Sequence, residues 1–193
     1  VDLKCILPRN NLRQDLHNGF YGYGSESYEN RHNDVTWNRE NVEAVVAYRH
    51  VIRPDVSDVS VRGSISKIWG HRPSYYFLEG VQTAFSESGG SPFISSVQAD
   101  FKQKFKAGML TAGAKLTYRS NDIYHQFYED GAYSDAFSND LLHTVLIPAA
   151  YVLFSSKIGK KFTYKAGLRG EFSTVTLTSS HEGLDVRNND FFV

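Results

Sequence analysis

The chain has 193 residues, and its 21 Lys and Arg residues balance its 21 Asp and Glu residues, so the formal net charge is zero. This balance does not indicate a nucleic-acid binder, which usually has a basic excess or patch. The single cysteine, Cys5, excludes an internal disulfide framework. No apolar run approaches the length of a membrane helix, but a membrane β-barrel stays possible because its strands are apolar on one face only.

Alternation of apolar and polar residues is the main local signal, and aromatic residues, which favour strands, make up 14% of the chain. In chain order, alternation is least regular in Val1–Leu7 and Leu12–Gly24, weak in Val42–Ile52 and Val59–Trp69, and clear in Phe93–Phe105, Gly108–Tyr118 and Phe162–Phe172. The segment Thr144–Ser155 is apolar on both faces and contains Pro148, which is unusual inside a paired strand.

The connections between these strands alternate in length. Short polar breaks are expected at Pro8–Asn11, Arg53–Ser57, Lys106–Ala107 and Lys157–Lys161, and long polar loops at Glu26–Arg39, Gly70–Pro92, Ser120–Leu142 and Ser179–Asp190. Outer-membrane barrels have short turns on the periplasmic side and long loops on the outside. The pattern therefore predicts an all-β fold, an antiparallel up-and-down meander of about eight long strands that forms part of a transmembrane β-barrel.

The two faces of the predicted strands differ in charge. The face predicted to contact lipid contains Leu110, Ala112, Leu116, Tyr164 and Leu168, and the face predicted to line a wet lumen contains Arg49, Arg62, Lys102, Lys115, Lys165 and Arg169, with Glu43, Asp100 and Glu171. Lys67 breaks the rule on the apolar face, near a strand end where a lysine can reach the interface. A soluble β-sandwich or β-barrel binding module, for carbohydrate or another ligand, is the alternative, and it would bury the same apolar residues as a core.

Two segments carry a resemblance to a known family. The stretches "ADFKQKFKAGMLTAGAKLTYRSND" (99–122) and "KKFTYKAGLRGEFSTVTLT" (160–178) resemble barrel segments of TonB-dependent receptors from Bacteroidetes-type bacteria, and "NNDFFV" (188–193) resembles the start of a further strand there. The resemblance extends from about Asn41 to Val193. It implies an outer-membrane barrel for nutrient uptake, with lipid around it, a plug domain inside it and energy from TonB, and it leaves room for a surface lipoprotein partner.

We expect residues 1–193 to form a single barrel segment of a larger receptor, because about eight strands are too few for the family's large barrel and no plug is recognisable. The resemblance locates this segment in the bacterial outer membrane.

Candidate site residues lie in the long polar segments. Aromatic side chains there could stack on an oligosaccharide or other small-molecule ligand, or could extend the strands and form an interfacial girdle. The candidates for ligand binding are Tyr75, Tyr76, Tyr124, Tyr128 and Tyr133.

Catalytic and cofactor signatures are not found in the sequence. The seven histidines show no metal-binding spacing, and no nucleophile elbow, phosphate loop or dinucleotide motif is present. We therefore expect no enzyme activity, no metal, no cofactor and no nucleic-acid partner.

Overall fold

A computed structural model describes residues 2–6, 9–21, 28–159, 162–179 and 183–193, with side chains described from residue 33 onward. The fold is all-β. The strands are β1 (Asp2–Ile6), β2 (Arg9–Tyr21), β3 (Tyr28–Arg53), β4 (Ser57–Leu78), β5 (Val81–Gly90), β6 (Phe93–Phe105), β7 (Gly108–Glu129), β8 (Ala132–Tyr133), β9 (Asn139–Ile158), β10 (Phe162–Ser179) and β11 (Leu184–Phe192), with one 3₁₀ turn at Asp135–Phe137.

All eleven segments belong to one antiparallel sheet. β1 and β2 both pair with β3 in one continuous register, and β5 and β6 both pair with β4 on one side and β7 on the other. The two members of each pair therefore share one strand position in the sheet, and β8 is a two-residue extension, so the segments fill eight strand positions in sequence order. The predicted meander of about eight strands is confirmed.

Two expectations about the connections are wrong. Pro8 lies outside the described residues, but Arg9, Asn10 and Asn11 already belong to β2, and β1 and β2 both pair with β3 on the same side, so the predicted break is wrong for its described part. The predicted loops at Gly70–Pro92 and Ser120–Leu142 are mostly paired strand: β4 continues to Leu78 and β7 to Glu129. The first and last predicted loops also contain much of β3 and β11, while residues 26, 27 and 180–182 lie outside the described part of the chain. The hairpins therefore extend far beyond the length needed to cross a membrane, which is about 9–11 residues per strand.

The sheet has a turn end and a hairpin end. At the turn end, β3 and β4 are joined by residues 54–56 and β6 and β7 by Lys106 and Ala107, as predicted. At the hairpin end, Glu79 and Gly80 have φ values of 49° and 79°, and Asp130 and Gly131 have 49° and 78°. Two consecutive positive φ values are the signature of the type I′ turn, whose twist matches that of the flanking strands. Gly occupies the second position in both turns, where it avoids the Cβ strain.

Prolines lie where the hydrogen-bond ladder is interrupted. Pro148 pairs with Leu116 of β7, but on the β10 side the register omits Pro148 and Ile147. Pro73 pairs with Glu87 of β5, while the β3 side omits its position. The missing N–H of each proline therefore falls at a gap in pairing, which is how a proline is tolerated inside this sheet.

The sheet has almost no core. Among the described residues, the only buried hydrophobic side chain is Ala149, at 8% exposure, whereas Leu168 is 71% exposed. A sandwich would bury one face of each sheet against a second layer, and the described strands form a single layer. The described strands therefore do not form the sandwich version of the soluble alternative. None of the described residues belongs to a helix long and hydrophobic enough to cross a membrane.

The apolar face has the dimensions of a membrane-spanning band. Along β6 it runs from Phe93 to Phe105, which at ~3.3 Å per residue and a tilt of ~45° gives a height of about 28 Å, close to the ~25 Å band of outer-membrane barrels. Aromatic contacts mark both limits: the rings of Phe93 and Tyr118 are 6.3 Å apart, as are those of Phe154 and Tyr164 near the turn end.

Candidate functional surface: the charged face and the hairpin end

The strand register places the predicted charges on one face, opposite the apolar face. We call this the charged face; it contains Arg49, Arg62, Lys102, Lys115, Lys165 and Arg169, with Glu43, Asp100 and Glu171. The residues predicted to face lipid also lie together on one side of the sheet. β9 pairs with both β7 and β10, and its register places Leu110, Ala112 and Leu116 on the same side as Tyr164 and Leu168. The predicted segregation of charge is confirmed.

A hydrogen-bonded network crosses the middle of the charged face. Gln98 donates to Asp100 at 3.0 Å and to the Tyr151 hydroxyl at 2.9 Å, and Tyr151 donates to Asp100. Arg169 lies over the Tyr151 ring, 5.6 Å from its centroid, and pairs with Glu171. The network partly neutralises the charges of the face and fixes polar side chains of β6, β9 and β10 in one arrangement.

Gly113 makes this network possible. It pairs with Asp100 on β6 and with Tyr151 on β9, so it lies between the two side chains on β7. A Cβ atom at this position would be 2.6 Å from Asp100 Oδ1 and 2.6 Å from Tyr151 Cζ. Only a residue without a side chain lets the phenol reach across β7 to the carboxylate.

Three of the predicted ligand-binding tyrosines form one row at the hairpin end. Tyr75, Phe85, Tyr128 and Tyr133 are register partners on the neighbouring segments β4, β5, β7 and β8, on the same side of the sheet as the apolar face. Their ring centroids are 5.0, 5.8 and 5.5 Å apart in that order. These rings contact one another along extended strands and are not carried on loops.

Tyr76 lies on the opposite side of the sheet from Tyr75. Its ring is 6.2 Å from Phe127, which makes an edge contact with Phe137 of the 3₁₀ turn. Ser138 fixes that turn by donating to the Ser134 carbonyl at 2.7 Å and accepting from the Phe127 N–H at 3.0 Å. The structure therefore does not bring all five tyrosines to one site, and ligand binding by them stays a prediction.

Tyr124 belongs to a polar cluster that covers a glycine. Its ring lies over Gly89, where a Cβ would be 2.7 Å from the ring. Its hydroxyl donates to Glu87 at 3.3 Å and lies 3.3 Å from His71 Nδ1, which is 3.4 Å from the same carboxylate. Burial raises the pKa of the Tyr124 phenol, and the charge of Glu87 raises it further. Tyr124 is therefore a protonated donor at neutral pH.

Sequence reasoning missed the residues that organise these clusters. Gly113 lies on the polar side of an alternating strand. The available signal was that this glycine has an acidic and an aromatic neighbour across the hydrogen-bond ladder. His71 and Gly89 lie in a segment interpreted as loop, so their register could not be used. Within the described ranges, no group of three His, Cys, Asp or Glu residues could hold a metal ion.

Residues 71–192 match the model of a protein family described as an outer membrane protein beta-barrel family. The match includes β5 to β11 and the hairpin-end part of β4. No curated protein matches the chain.

Proposed function

Because the chain belongs to the outer membrane protein beta-barrel family and therefore lies in the bacterial outer membrane, we propose that it is part of the barrel of a receptor or transporter for TonB-dependent nutrient uptake. The family match covers well over half of the chain. The apolar face contacts lipid, and the turn end faces the periplasm, where short turns are the rule.

The observation that carries the proposal is the polar lining of the charged face. Arg or Lys on the lipid side costs about 2–4 kcal/mol at the bilayer midplane, so a face with this many cations belongs in water. Its central network of Asp100, Tyr151 and Arg169 is built from groups that bind polar solutes. A wet, charged interior suits passage of a hydrophilic nutrient.

The energy source and the partners rest on the resemblance of residues 99–122 and 160–178 to receptors of Bacteroidetes-type bacteria. In this proposal a plug domain occupies the barrel, TonB acts on the plug, and a surface lipoprotein is a further partner outside. The extended hairpins at residues 70–90 and 122–139 lie on the cell surface and select the ligand, a small molecule or an oligosaccharide. The role is binding and passage, not catalysis.

The proposal is tested by measuring bacterial growth on defined nutrients. A strain that naturally carries the gene is compared with its deletion mutant and with a mutant lacking TonB, on a panel of oligosaccharides and iron chelates as sole sources. We expect the deletion mutant to lose growth on a subset of the nutrients that the TonB mutant cannot use. Loss of growth on a nutrient that the TonB mutant still uses would overturn TonB dependence.

Lumen exposure has a separate test in the full chain with Cys5 replaced by Ser. In lipid vesicles, Lys115→Cys should react with a water-soluble thiol reagent and Leu116→Cys with a lipid-soluble one. Equal reactivity of both positions toward the water-soluble reagent would contradict the assignment of the two faces.

A further inference from the structure

The charged face has a depression at the level where the strands leave the membrane. Its volume is about 330 Å³, at the low end of the ~300–1,000 Å³ typical of small-ligand sites. Its floor is backbone: Gly70 of β4 and Gly90 of β5 are direct register partners and present no side chain to the charged face. The lining side chains include Trp37, Arg39, Arg72, Asn121, Ile68 and Ile123.

The rim combines an aromatic ring with two cations. Trp37 is 47% exposed, although burial would be the usual fate of so large an apolar group in a folded protein. Arg39 pairs with Gly70 across the ladder, so its guanidinium stands beside the glycine floor. Both Arg39 and Arg72 are exposed, and within the described part of the chain neither forms a salt bridge.

The acidic residues nearby do not compete for these two arginines. Glu40, Glu87 and Asp122 belong to the opposite side of the sheet by their register. On the charged face, the first carboxylate along β3 is that of Glu43, four residues from Arg39 and ~13 Å away at ~3.3 Å per residue. The depression is therefore a local positive site on a face where Arg169 is paired with Glu171 and Asp100 is hydrogen-bonded to Gln98 and Tyr151.

We propose that this depression binds an acidic saccharide, a sugar that carries a carboxylate or a sulfate group. The flat apolar face of a sugar ring stacks on the Trp37 indole, and the flat glycine floor admits the ring without a side-chain clash. Arg39 and Arg72 bind the anionic group, because a guanidinium donates two parallel hydrogen bonds to a carboxylate or sulfate. Asn121 supplies amide hydrogen bonds to hydroxyl groups.

A peptide is the less suitable occupant. An extended peptide binds a sheet by adding to a free edge, and both neighbours of β4 and of β5 are already in place here. The inference rests on the proposed function in that it identifies the substrate class of the same barrel. Its test is direct binding, so a negative result leaves TonB-dependent uptake standing.

The chain offers an internal reporter for binding. It has two tryptophans, and Trp69 lies on the opposite face from Trp37, 5.5 Å from the Lys67 ammonium. In the full chain with Trp69→Phe, folded in detergent micelles, all tryptophan fluorescence comes from Trp37. We expect titration with a galacturonic-acid oligosaccharide to change this fluorescence and to saturate, and the methyl-esterified oligosaccharide of the same length to bind more weakly.

Charge variants locate the site. Arg39→Gln and Arg72→Gln should each weaken binding by about 10-fold to 100-fold, the loss expected for one charge-assisted contact. Arg62→Gln is the matched control, since Arg62 lies on the same face and the same strand as Arg72 but far from the depression, and it should leave affinity unchanged. Folding of every variant is checked by its heat-dependent gel mobility.

Each outcome has a consequence. Equal binding of the acidic and esterified oligosaccharides would overturn the role of the arginines, and binding of inorganic sulfate alone would overturn the saccharide. An equal loss in Arg62→Gln would show that only the general potential of the face matters, which also overturns the site. Binding of the strain's own lipopolysaccharide in place of the free oligosaccharide would support the site and identify the membrane as the source of the sugar.

Discussion

The contact at Gly113 gives the sharpest stability prediction. In Gly113→Ala the new methyl group would be 2.6 Å from both Asp100 Oδ1 and Tyr151 Cζ, so the two side chains must separate. A hydrogen bond to a charged group contributes about 1.5–3 kcal/mol to the free energy of unfolding. Alanine recovers about 0.5–1 kcal/mol in a strand relative to glycine. We therefore expect Gly113→Ala to lower the free energy of unfolding by about 1–2 kcal/mol.

Gly63 provides the matched control for Gly113→Ala. It lies inside β4, and a methyl group added there would meet no atom within 4 Å, so Gly63→Ala should be neutral or slightly stabilising. The assay is urea unfolding of the full chain in lipid vesicles, followed by heat-dependent gel mobility. In the Tyr151→Ala background, the loss of unfolding free energy caused by Gly113→Ala should fall by at least half, because the effects of substitutions at residues in contact do not add. Equal midpoints for Gly113→Ala and Gly63→Ala would refute the steric reasoning.

Three further predictions concern the lipid face and the hairpin end. Leu116→Arg should cost about 2–4 kcal/mol in lipid vesicles, while Thr117→Arg on the charged face should cost little; equal costs would contradict the face assignment. At the first hairpin turn, Gly80→Val should cost about 1–2 kcal/mol and speed cleavage there by an external protease, whereas Glu79→Asn should slow it, because Asn-Gly is preferred in this turn type. Tyr124→Phe should leave amide hydrogen exchange in the hairpin nearly unchanged, and Tyr124→Ala should accelerate it; similar acceleration by both would shift the main role from ring packing to the hydroxyl.

Strand faces could be predicted from the sequence, because alternation has a period of two and the paired strands keep that period across the membrane band. This rule alone places Lys115 and Leu116 on opposite sides, and the register confirms it. The rule works here because no tertiary packing competes with it: each side chain faces either lipid or water.

Hairpin length could not be predicted, because the residues that signal a loop are here used inside strands. Gly70, Pro73 and Gly89 all favour turns in isolation. In the sheet, Pro73 falls at a gap in pairing and Tyr124 covers Gly89, so neighbouring strands compensate for each of them. Compensation of this kind depends on which residues are register partners, and an isolated sequence does not contain that information.

The candidate sites could not be predicted for the same reason, since the sequence does not give the strand register that brings their residues together. Tyr75 and Tyr76 are adjacent in sequence, but a strand sends adjacent side chains to opposite faces. Once the segment is known to be a strand, the separation of these two tyrosines follows at once. The depression near Gly70 and Gly90 draws its residues from several neighbouring strands, and no local motif connects them.

The continuous register restricts how the surface hairpins can change during evolution. Over residues 84–105, one strand connects the hairpin end to the turn end in a single register with β4 and β7. One residue inserted within the paired region would exchange the lipid-facing and water-facing side chains beyond it. Viable length changes should therefore add or remove residues in even numbers on both arms of a hairpin, or fall within its turn. Homologues should accordingly differ in hairpin height by steps of two residues while their membrane bands stay aligned.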